Sequence, residues 1–137
     1  MNKITKLQRR SKFFYEHKLN FLAVLVYKYM RFFYSCIIPY TCDIDPSVHF
    51  AHNGLGVVIN SSSKIGKNCV IYQNVTIGNR NSSKGPVLEE GVLVGANAVI
   101  IGDITIGKNA KIGAGAIVVK DVPENATVVC APAHIKE

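Results

Sequence analysis

Large aliphatic residues return at every sixth position through the central part of the chain, between residues 59 and 116, with one interruption. An α-helix would need apolar residues three and four apart, and an ordinary strand would need strict alternation, so neither period fits. A fixed period of six instead predicts a solenoid in which short flat strands alternate with corners, three sixes to a turn. Adjacent turns would stack as parallel strands about 4.8 Å apart. The sixth-position residues are Ile59, Ile65, Ile71, Ile77, Leu88, Val94, Ile100, Ile106 and Ile112.

Two further columns of the same frame agree with a corner after each strand. The fourth column is rich in Gly, Asn and Asp, which enter the left-handed backbone region at little cost. The fifth column is mostly small and apolar, as expected where walls converge on a narrow interior. The fourth column holds Ser62, Asn68, Asn74, Gly91, Asn97, Asp103, Asn109 and Gly115. The fifth holds Ser63, Cys69, Val75, Val92, Ala98, Ile104, Ala110 and Ala116.

The frame is broken at two places. Phe50 and Ile59 are nine residues apart, and the extra residues fall at positions 51–56, which predicts a bulge that points a side chain outward. The step from Ile77 to Leu88 is eleven residues, so residues 79–86 should project as a loop. Arg80 and Lys84 in this loop are candidates for binding a sugar, a carboxylate or a coenzyme phosphate, unless they form only a solvated loop tip.

Residues 1–40 follow a different pattern. Their apolar residues recur at roughly helical spacing with no Gly or Pro before Pro39, which predicts one or two helices that end before this proline. This segment carries eight basic side chains and one acidic, 8 − 1 = +7, whereas residues 41–137 carry eight of each. We therefore predict a basic amphipathic helical lead-in at residues 1–40 and a solenoid domain at residues 41–137.

Two interpretations of the lead-in stay open. Its aromatic face packs on the solenoid or on a neighbouring subunit, or it lies on anionic lipid at the inner face of the membrane. A transmembrane helix is disfavoured, because Lys28 and Arg31 cut the apolar stretch short of the about 20 residues that a span needs. No recognised nucleic-acid-binding motif accompanies the charge, so nucleic acid is not an expected partner.

The cysteines and histidines predict no metal site. Cys36, Cys42, Cys69 and Cys130 lack metal-ligand spacing, and we expect Cys69 and Cys130 to be packing residues in a reducing compartment. His49 and His52 are three apart, without a third ligand to complete a zinc set. With no recognisable signal peptide, the sequence predicts a cytoplasmic protein.

The start of the solenoid, Asp43-Ile44-Asp45-Pro46, and the stretch His52-x-x-x-Gly56-Val57-Val58-Ile59 resemble segments of serine acetyltransferases and related sugar O-acetyltransferases. The likeness covers most of residues 42–135. It implies an all-β fold, the left-handed parallel β-helix of hexapeptide-repeat acyltransferases, here with a short helical segment in front. It also implies that His52 is the catalytic base and that Asp43 matches the aspartate that orients it. Asp45 is a second candidate for that orienting role, and Asn53 is a candidate for binding the acceptor. An imidazole suits proton removal from an alcohol at neutral pH.

Three positions depart from the pattern of serine acetyltransferases. Ala51 stands where those enzymes have an aspartate directly before the histidine, and Gly85 stands where their loop carries a second active-site histidine. Asp43 is one hexapeptide closer to His52 than its counterpart, which would put it on a different wall unless the start of the solenoid repacks. The missing loop histidine removes one acceptor ligand and argues that free serine is not the only acceptor to consider.

A ladder of small residues marks the expected coenzyme slot. Gly95-Ala96 and Gly113-Ala114 are eighteen residues apart, one full turn, so they should stack. By resemblance, pantetheine runs along such a ladder between two subunits of a homotrimer, with Ala96 and Ala114 touching it. Lys111 and Lys120 are candidates for phosphate contacts. Small residues could equally just satisfy tight corners.

Taken together, these features predict an acetyl-CoA-dependent O-acetyltransferase that needs no metal. We expect the acceptor to be a hydroxyl of a sugar on a surface polysaccharide or its precursor. The alternative is L-serine, in cysteine biosynthesis. A hypothesis of another class is a catalytically idle trimeric solenoid that acts as an assembly module.

Overall fold

The computed structural model describes residues 1–81 and 84–131. Within them, the chain winds as a parallel β-solenoid of about four turns behind two helices, which confirms the predicted hexapeptide β-helix. Short strands build three walls, and every pairing within a wall is parallel.

Each wall takes one strand from each turn. The first wall contains β1 (Asp43–Ile44), β4 (Lys64–Ile65), β7 (Val87–Leu88) and β10 (Thr105–Ile106). The second contains β2 (His49–Phe50), β5 (Val70–Ile71), β8 (Leu93–Val94), β11 (Lys111–Ile112) and β13 (Thr127–Val128). The third contains β3 (Val58–Ile59), β6 (Thr76–Gly78), β9 (Val99–Ile101) and β12 (Ile117–Val118).

The sixth-position residues form the interior, as the repeat predicted. They stack on one another from turn to turn, for example Ile59 on Ile77 and Val94 on Ile112. All nine are buried to 3% exposure or less, and the fifth column lies beside them, with only Ile104 partly exposed. Because each inward side chain packs on the equivalent side chain of the next turn in a narrow interior, the period of six is strict.

The fourth column forms the corners. Six of its eight members have positive φ, namely Asn68, Asn74, Gly91, Asn97, Asn109 and Gly115. At Asp103 the neighbouring Gly102 takes the positive φ instead, at 128°. At Ser62 the amide oxygen of Asn60 accepts from the backbone N–H, at 3.0 Å, and from the hydroxyl, so the turn is closed by a side chain.

Two helices precede the solenoid, α1 (Lys3–Glu16) and α2 (Asn20–Tyr34). α1 is fastened to the first turn by buried polar side chains, which the sequence did not indicate. Thr5 Oγ1 donates to the carbonyl oxygen of Val48 at 2.8 Å, and Gln8 Nε2 donates to that of Cys42 at 3.2 Å. Ser11 Oγ donates to the carbonyl oxygen of Ala23 at 2.6 Å and so joins the two helices.

The apolar residues of the lead-in are only partly buried. Ile4 on α1 and Ala23 and Met30 on α2 are buried, whereas Phe21 and Phe32 are exposed. In the single chain, the aromatic face of α2 therefore does not pack on the solenoid. Across the described stretches 1–81 and 84–131, neither helix combines the length and the apolar character needed to cross a membrane.

The segment after α2 joins the solenoid before residue 41. Ile37 forms a parallel bridge with Val58, its N–H donates to the carbonyl oxygen of Val57, and its carbonyl oxygen accepts from Ile59. The boundary between residues 40 and 41 stays a prediction.

Cys36, Cys42 and Cys69 are buried, as packing residues should be, but Cys130 is exposed, so its predicted packing role is wrong within one chain.

Candidate active site

His52 lies on a short 3-10 segment, Ala51–Gly54, inserted between β2 and β3. Its backbone is in the left-handed region (φ 50°, ψ 34°), as is that of Asn53 (φ 55°, ψ 31°). Asparagine adopts this conformation at little cost, but for a histidine it costs about 1 kcal/mol or more and persists only where the surroundings impose it. This is the bulge that the broken frame predicted, and it leaves both side chains exposed.

Neighbouring elements hold this segment from three sides. The N–H of Gly56 donates to the carbonyl oxygen of Ser35 at the end of α2, at 3.0 Å. The N–H of Asn74 in the next turn donates to the carbonyl oxygen of Leu55 at 2.8 Å. Beneath the segment lies Ile4 of α1, whose Cγ1 is 3.5 Å from where a Cβ on Gly54 would be. The strained backbone is thus supported by α1, α2 and the solenoid together.

A groove of about 250 Å³ opens beside His52, between the 3-10 segment and the end of α2. The ring of Tyr72 lies 6.5 Å from the His52 ring, centroid to centroid. Among the lining residues that the structure describes, His52 is the only one with an acidic or basic side chain, and the others are aromatic, aliphatic or neutral polar. The groove is lined by Phe33, Tyr34, Ser35, His52, Asn53 and Leu55.

The single chain does not bring the predicted aspartates to His52. Asp43, on the first wall, forms an ion pair with Lys12 of α1 at 3.4 Å. Asp45 Oδ1 accepts from the hydroxyl and the backbone N–H of Ser47, at 2.6 and 2.9 Å, and these bonds lower the pKa of the Asp45 carboxyl. His52 follows a strand of the second wall instead, and within residues 1–81 and 84–131 no carboxylate hydrogen-bonds to it.

The Gly-Ala ladder stacks as predicted. The N–H of Gly95 donates to the carbonyl oxygen of Ile112 at 2.7 Å, and the N–H of Gly115 donates to that of Ala96 at 2.8 Å. A Cβ on Gly95 would lie 2.6 Å from the backbone nitrogen of Ala114, so the two turns approach as closely as glycine allows. The ladder therefore exposes backbone and small side chains that a flexible ligand such as pantetheine could lie against.

The two candidate phosphate ligands are on different parts of the coil. Lys111 is exposed on β11 in the second wall, in register with Leu93 and Thr127. Lys120 follows β12 and lines a groove of about 250 Å³ with Ile117 and Val119. Lys120 therefore lines a concave surface.

The second break in the frame is a loop, of which residues 82 and 83 lie outside the described stretches. Arg80 is exposed, and Lys84 lies 4.0 Å from Asp103, an exposed pair of little energetic weight. Gly85 is buried, and a Cβ there would lie 2.6 Å from the hydroxyl and 2.9 Å from the backbone nitrogen of Ser63. No histidine could replace it without moving the loop.

In the described part of the chain, no three His, Cys, Asp or Glu residues cluster as a metal site would require.

Comparison with known proteins agrees with this architecture. Residues 85–120 match the family model for the bacterial transferase hexapeptide, six repeats. The serine acetyltransferase of Bacillus pumilus is 40% identical over 125 residues, covering 89% of this chain and 57% of that protein. The serine acetyltransferase of Bacillus subtilis is 37% identical over 124 residues, covering 88% and 57%. The chain is a serine acetyltransferase-like hexapeptide-repeat protein.

Solved structures are similar to this chain over the helices as well as the solenoid. The Neisseria gonorrhoeae serine acetyltransferase in complex with serine superposes with a TM-score of 0.87 at 33% identity, over 96% of this chain and 55% of that one. The soybean enzyme complexed with serine gives 0.85 at 31%, over 96% and 55%. This serine acetyltransferase-like chain thus spans a little over half the length of the proteins it matches.

Sequence reasoning missed the contribution of α2 to the groove. Phe33, Tyr34 and Ser35 precede His52 by 17 to 19 residues and belong to a helix end, so no local motif links them to the histidine. The left-handed Ser35 that ends α2 (φ 51°) turns the chain back toward the 3-10 segment. An αL residue at a helix end is common, but serine is a weak sequence signal for it.

Proposed function

We propose that this chain is the catalytic part of an acetyl-CoA-dependent O-acetyltransferase, with His52 as the general base and serine as the acceptor. The observation that carries the proposal is an exposed imidazole, held on strained backbone at the edge of a groove, in a chain 40% identical to a serine acetyltransferase. Imposed strain at an exposed histidine is typical of functional sites. The similarity to serine acetyltransferases supports serine over any other single acceptor.

In this mechanism His52 accepts the proton of the acceptor hydroxyl, which makes the oxygen nucleophilic toward the acetyl carbonyl carbon. Acetyl-CoA supplies the acetyl group as a thioester. When the C–S bond breaks, the imidazolium returns its proton to the departing thiolate, so His52 ends in its starting state. The stacked Gly95-Ala96 and Gly113-Ala114 are the residues that would hold the pantetheine, since their backbone is open to a ligand there. Lys120 is the better candidate for a phosphate.

We further propose a homotrimer with the site between two subunits. The outer face of the third wall supports this, because Val58, Val99 and Ile117 occur on its strands β3, β9 and β12 and Ile117 is 71% exposed. An apolar outer wall of this kind is typical of a subunit interface. A neighbouring subunit would also complete the surroundings of His52, to which the single chain brings no carboxylate among its described residues.

A sugar hydroxyl is the second candidate acceptor, favoured by the lining of the groove. Serine is a zwitterion, and its two charges would need charged partners, but within residues 1–81 and 84–131 His52 is the only basic or acidic side chain that lines this groove. A sugar ring is neutral and packs well on aromatic side chains such as Phe33 and Tyr34. Asn53 would then hydrogen-bond to a hydroxyl of either acceptor, whereas Arg80 and Lys84 are not among the described residues that line this groove.

Thiol release from acetyl-CoA tests the proposal, measured with serine and with a panel of hexoses and N-acetylhexosamines. The variant His52→Ala should lose roughly 10²- to 10⁴-fold in kcat, the usual contribution of a general base. His49→Ala is the matched control, because His49 is also an exposed histidine but does not line the groove. Turnover unaffected by His52→Ala would refute the assigned base. Absence of both turnover and coenzyme binding would instead favour the idle assembly module.

A further inference from the structure

One side of α2 carries large apolar side chains that none of the residues in the described stretches 1–81 and 84–131 covers. Phe21 is 78% exposed, Leu25 54% and Phe32 80%. At about 100° per residue, their spacing of four and seven places these three side chains within about 40° of one another on the helix. Ala23 and Met30, which are fully buried, lie on the opposite side and attach α2 to the rest of the chain. We call the exposed set Phe21, Leu25 and Phe32 the aromatic stripe.

Cations border the aromatic stripe. Lys28 and Arg31 are exposed and, by helical spacing, lie about 20° and about 80° from Phe21 on the same side. Along the helix, Lys28 falls between Leu25 and Phe32. Neither forms an ion pair within the described stretches of the chain. The whole excess charge of +7 belongs to residues 1–40, with eight basic and one acidic side chain, while the rest of the chain sums to zero. The stripe therefore lies in the most positive part of the molecule.

We propose that α2 docks on an anionic lipid bilayer, with the aromatic stripe in the interfacial region and Lys28 and Arg31 at the lipid head groups. A helix with one apolar face and a basic border lies in the plane of such a surface. At 15 residues α2 is about 22 Å long, short of the about 30 Å hydrocarbon core, so it lies on the bilayer and does not span it.

Charge decides between lipid and a second copy of the chain. If two copies met stripe to stripe, Lys28 and Arg31 of both would be brought together, within segments that each carry +7. Like charges forced together at an interface oppose association. An anionic bilayer offers the opposite sign, and each Lys or Arg near its surface strengthens binding.

Docking has a consequence for the groove. Phe33, next to Phe32, lines the groove beside His52. A bilayer under the stripe would therefore hold the groove close to the lipid surface. The inference goes beyond the proposed function and does not depend on it, because binding to lipid can be measured without acetyl-CoA or an acceptor.

Co-sedimentation of the whole chain with phosphatidylcholine vesicles, with and without phosphatidylglycerol, tests the proposal. We expect binding only when phosphatidylglycerol is present, weakened by high salt. Phe21→Gln with Leu25→Gln should reduce partitioning at least about tenfold, because the apolar contact is lost. Lys28→Gln with Arg31→Gln should reduce it roughly fivefold for each cation removed.

Val129→Gln is the matched control, because Val129 is 75% exposed but lies on the solenoid, and it should bind as the wild type does. Far-ultraviolet circular dichroism checks that the helices persist, and thiol release with a soluble acceptor should be the same in all variants. The proposal is overturned if the wild type does not bind phosphatidylglycerol vesicles at low salt, or if the stripe variant binds them as well as the wild type does. It is also overturned if the stripe variant only lowers the oligomeric state, which would assign the stripe to a second copy.

Discussion

Gly56 lies directly against the side-chain amide of Asn74. A Cβ built on Gly56 would overlap Asn74 Oδ1 and come within 3.4 Å of Asn74 Cα. Gly56 also has a φ of +68°, in the region that side chains disfavour. Because its N–H donates to the carbonyl oxygen of Ser35, this glycine is the point where the His52 segment, the end of α2 and the next turn of the solenoid meet.

We predict that Gly56→Ala lowers the free energy of unfolding by roughly 2–4 kcal/mol, from a strained φ and the displaced Asn74 amide together. Gly115→Ala isolates the first cause, because Gly115 has a φ of +71° but nothing within 4 Å of the added Cβ, and should cost about 1 kcal/mol. Urea unfolding measures both. In an Asn74→Gly background, Gly56→Ala should cost no more than Gly115→Ala, and an undiminished cost there would show that the amide contact is irrelevant.

Asn53 allows the backbone and the side chain to be separated at the candidate site. Its φ of 55° follows that of His52, so Asn53→Ala should destabilise by about 1 kcal/mol, whereas Asn53→Gly should cost little. Both variants remove the amide. If that amide binds the acceptor, the acceptor KM should rise in both by about tenfold, the loss of one hydrogen bond. A KM that rises in Asn53→Ala and stays normal in Asn53→Gly would assign Asn53 a purely backbone role.

The solenoid could be predicted in detail because its geometry repeats in the sequence. A wall two or three residues long followed by a corner forces one inward side chain every six residues, so Ile65, Ile77 and Ile106 fall where the frame put them. Where three extra residues broke the frame, the structure has the 3-10 segment that carries His52. Departures from the period were as informative as the period itself.

The packing of the lead-in was harder to predict because the side of α1 that contacts the solenoid and α2 includes polar residues. Thr5, Gln8 and Ser11 follow one another at a spacing of three on α1, and polar residues at helical spacing ordinarily indicate a solvent-facing side. They are buried because solenoid and α2 carbonyl groups accept their hydrogen bonds. Large aromatic residues of the lead-in, such as Phe21 and Phe32, are exposed instead. Only the three-dimensional positions of the carbonyl acceptors reveal this reversal.

Substitutions in the Gly-Ala ladder should separate its structural role, the close stacking of two turns, from its proposed role in binding the coenzyme. Gly95→Ala forces a Cβ to within 2.6 Å of backbone and should cost roughly 2–4 kcal/mol of stability, because backbone cannot rotate away. Gly78→Ala is the control, since its Cβ would meet only Ile101 Cγ1 at 3.8 Å, and should change stability by less than about 1 kcal/mol.

Ala114→Leu tests the ligand role of the same ladder. Ala114 is exposed, so the larger side chain should leave stability nearly unchanged while it occupies the space proposed for pantetheine. Calorimetric titration with coenzyme A should then show affinity at least about tenfold lower, in keeping with a blocked contact. Unchanged affinity in a stable Ala114→Leu protein would move the coenzyme away from this ladder.

The four cysteines should divide sharply in reactivity. Burial raises the pKa of the Cys42 thiol to about 12 and those of Cys36 and Cys69 to about 11, whereas Cys130 is exposed. Because the thiolate is the reactive form, an aromatic disulfide reagent at pH 8 should modify one thiol rapidly in the native protein and all four after unfolding. In Cys130→Ser the rapid phase should vanish, and more than one rapid thiol in the native wild type would contradict the burial of the other three.

The same pKa shifts fix how stability should depend on pH. The folded values lie above the 9.0 of an unperturbed thiol, so as the pH rises the unfolded chain loses these protons first. The three buried thiols therefore contribute fully below about pH 9, and their contribution falls as the pH rises toward the folded values. Urea unfolding at pH 8 and pH 10 should show the decline equally in the wild type and in Cys130→Ser, because the decline comes from the three buried thiols and Cys130 is exposed. A decline that disappears with Cys130→Ser would place its origin at the surface.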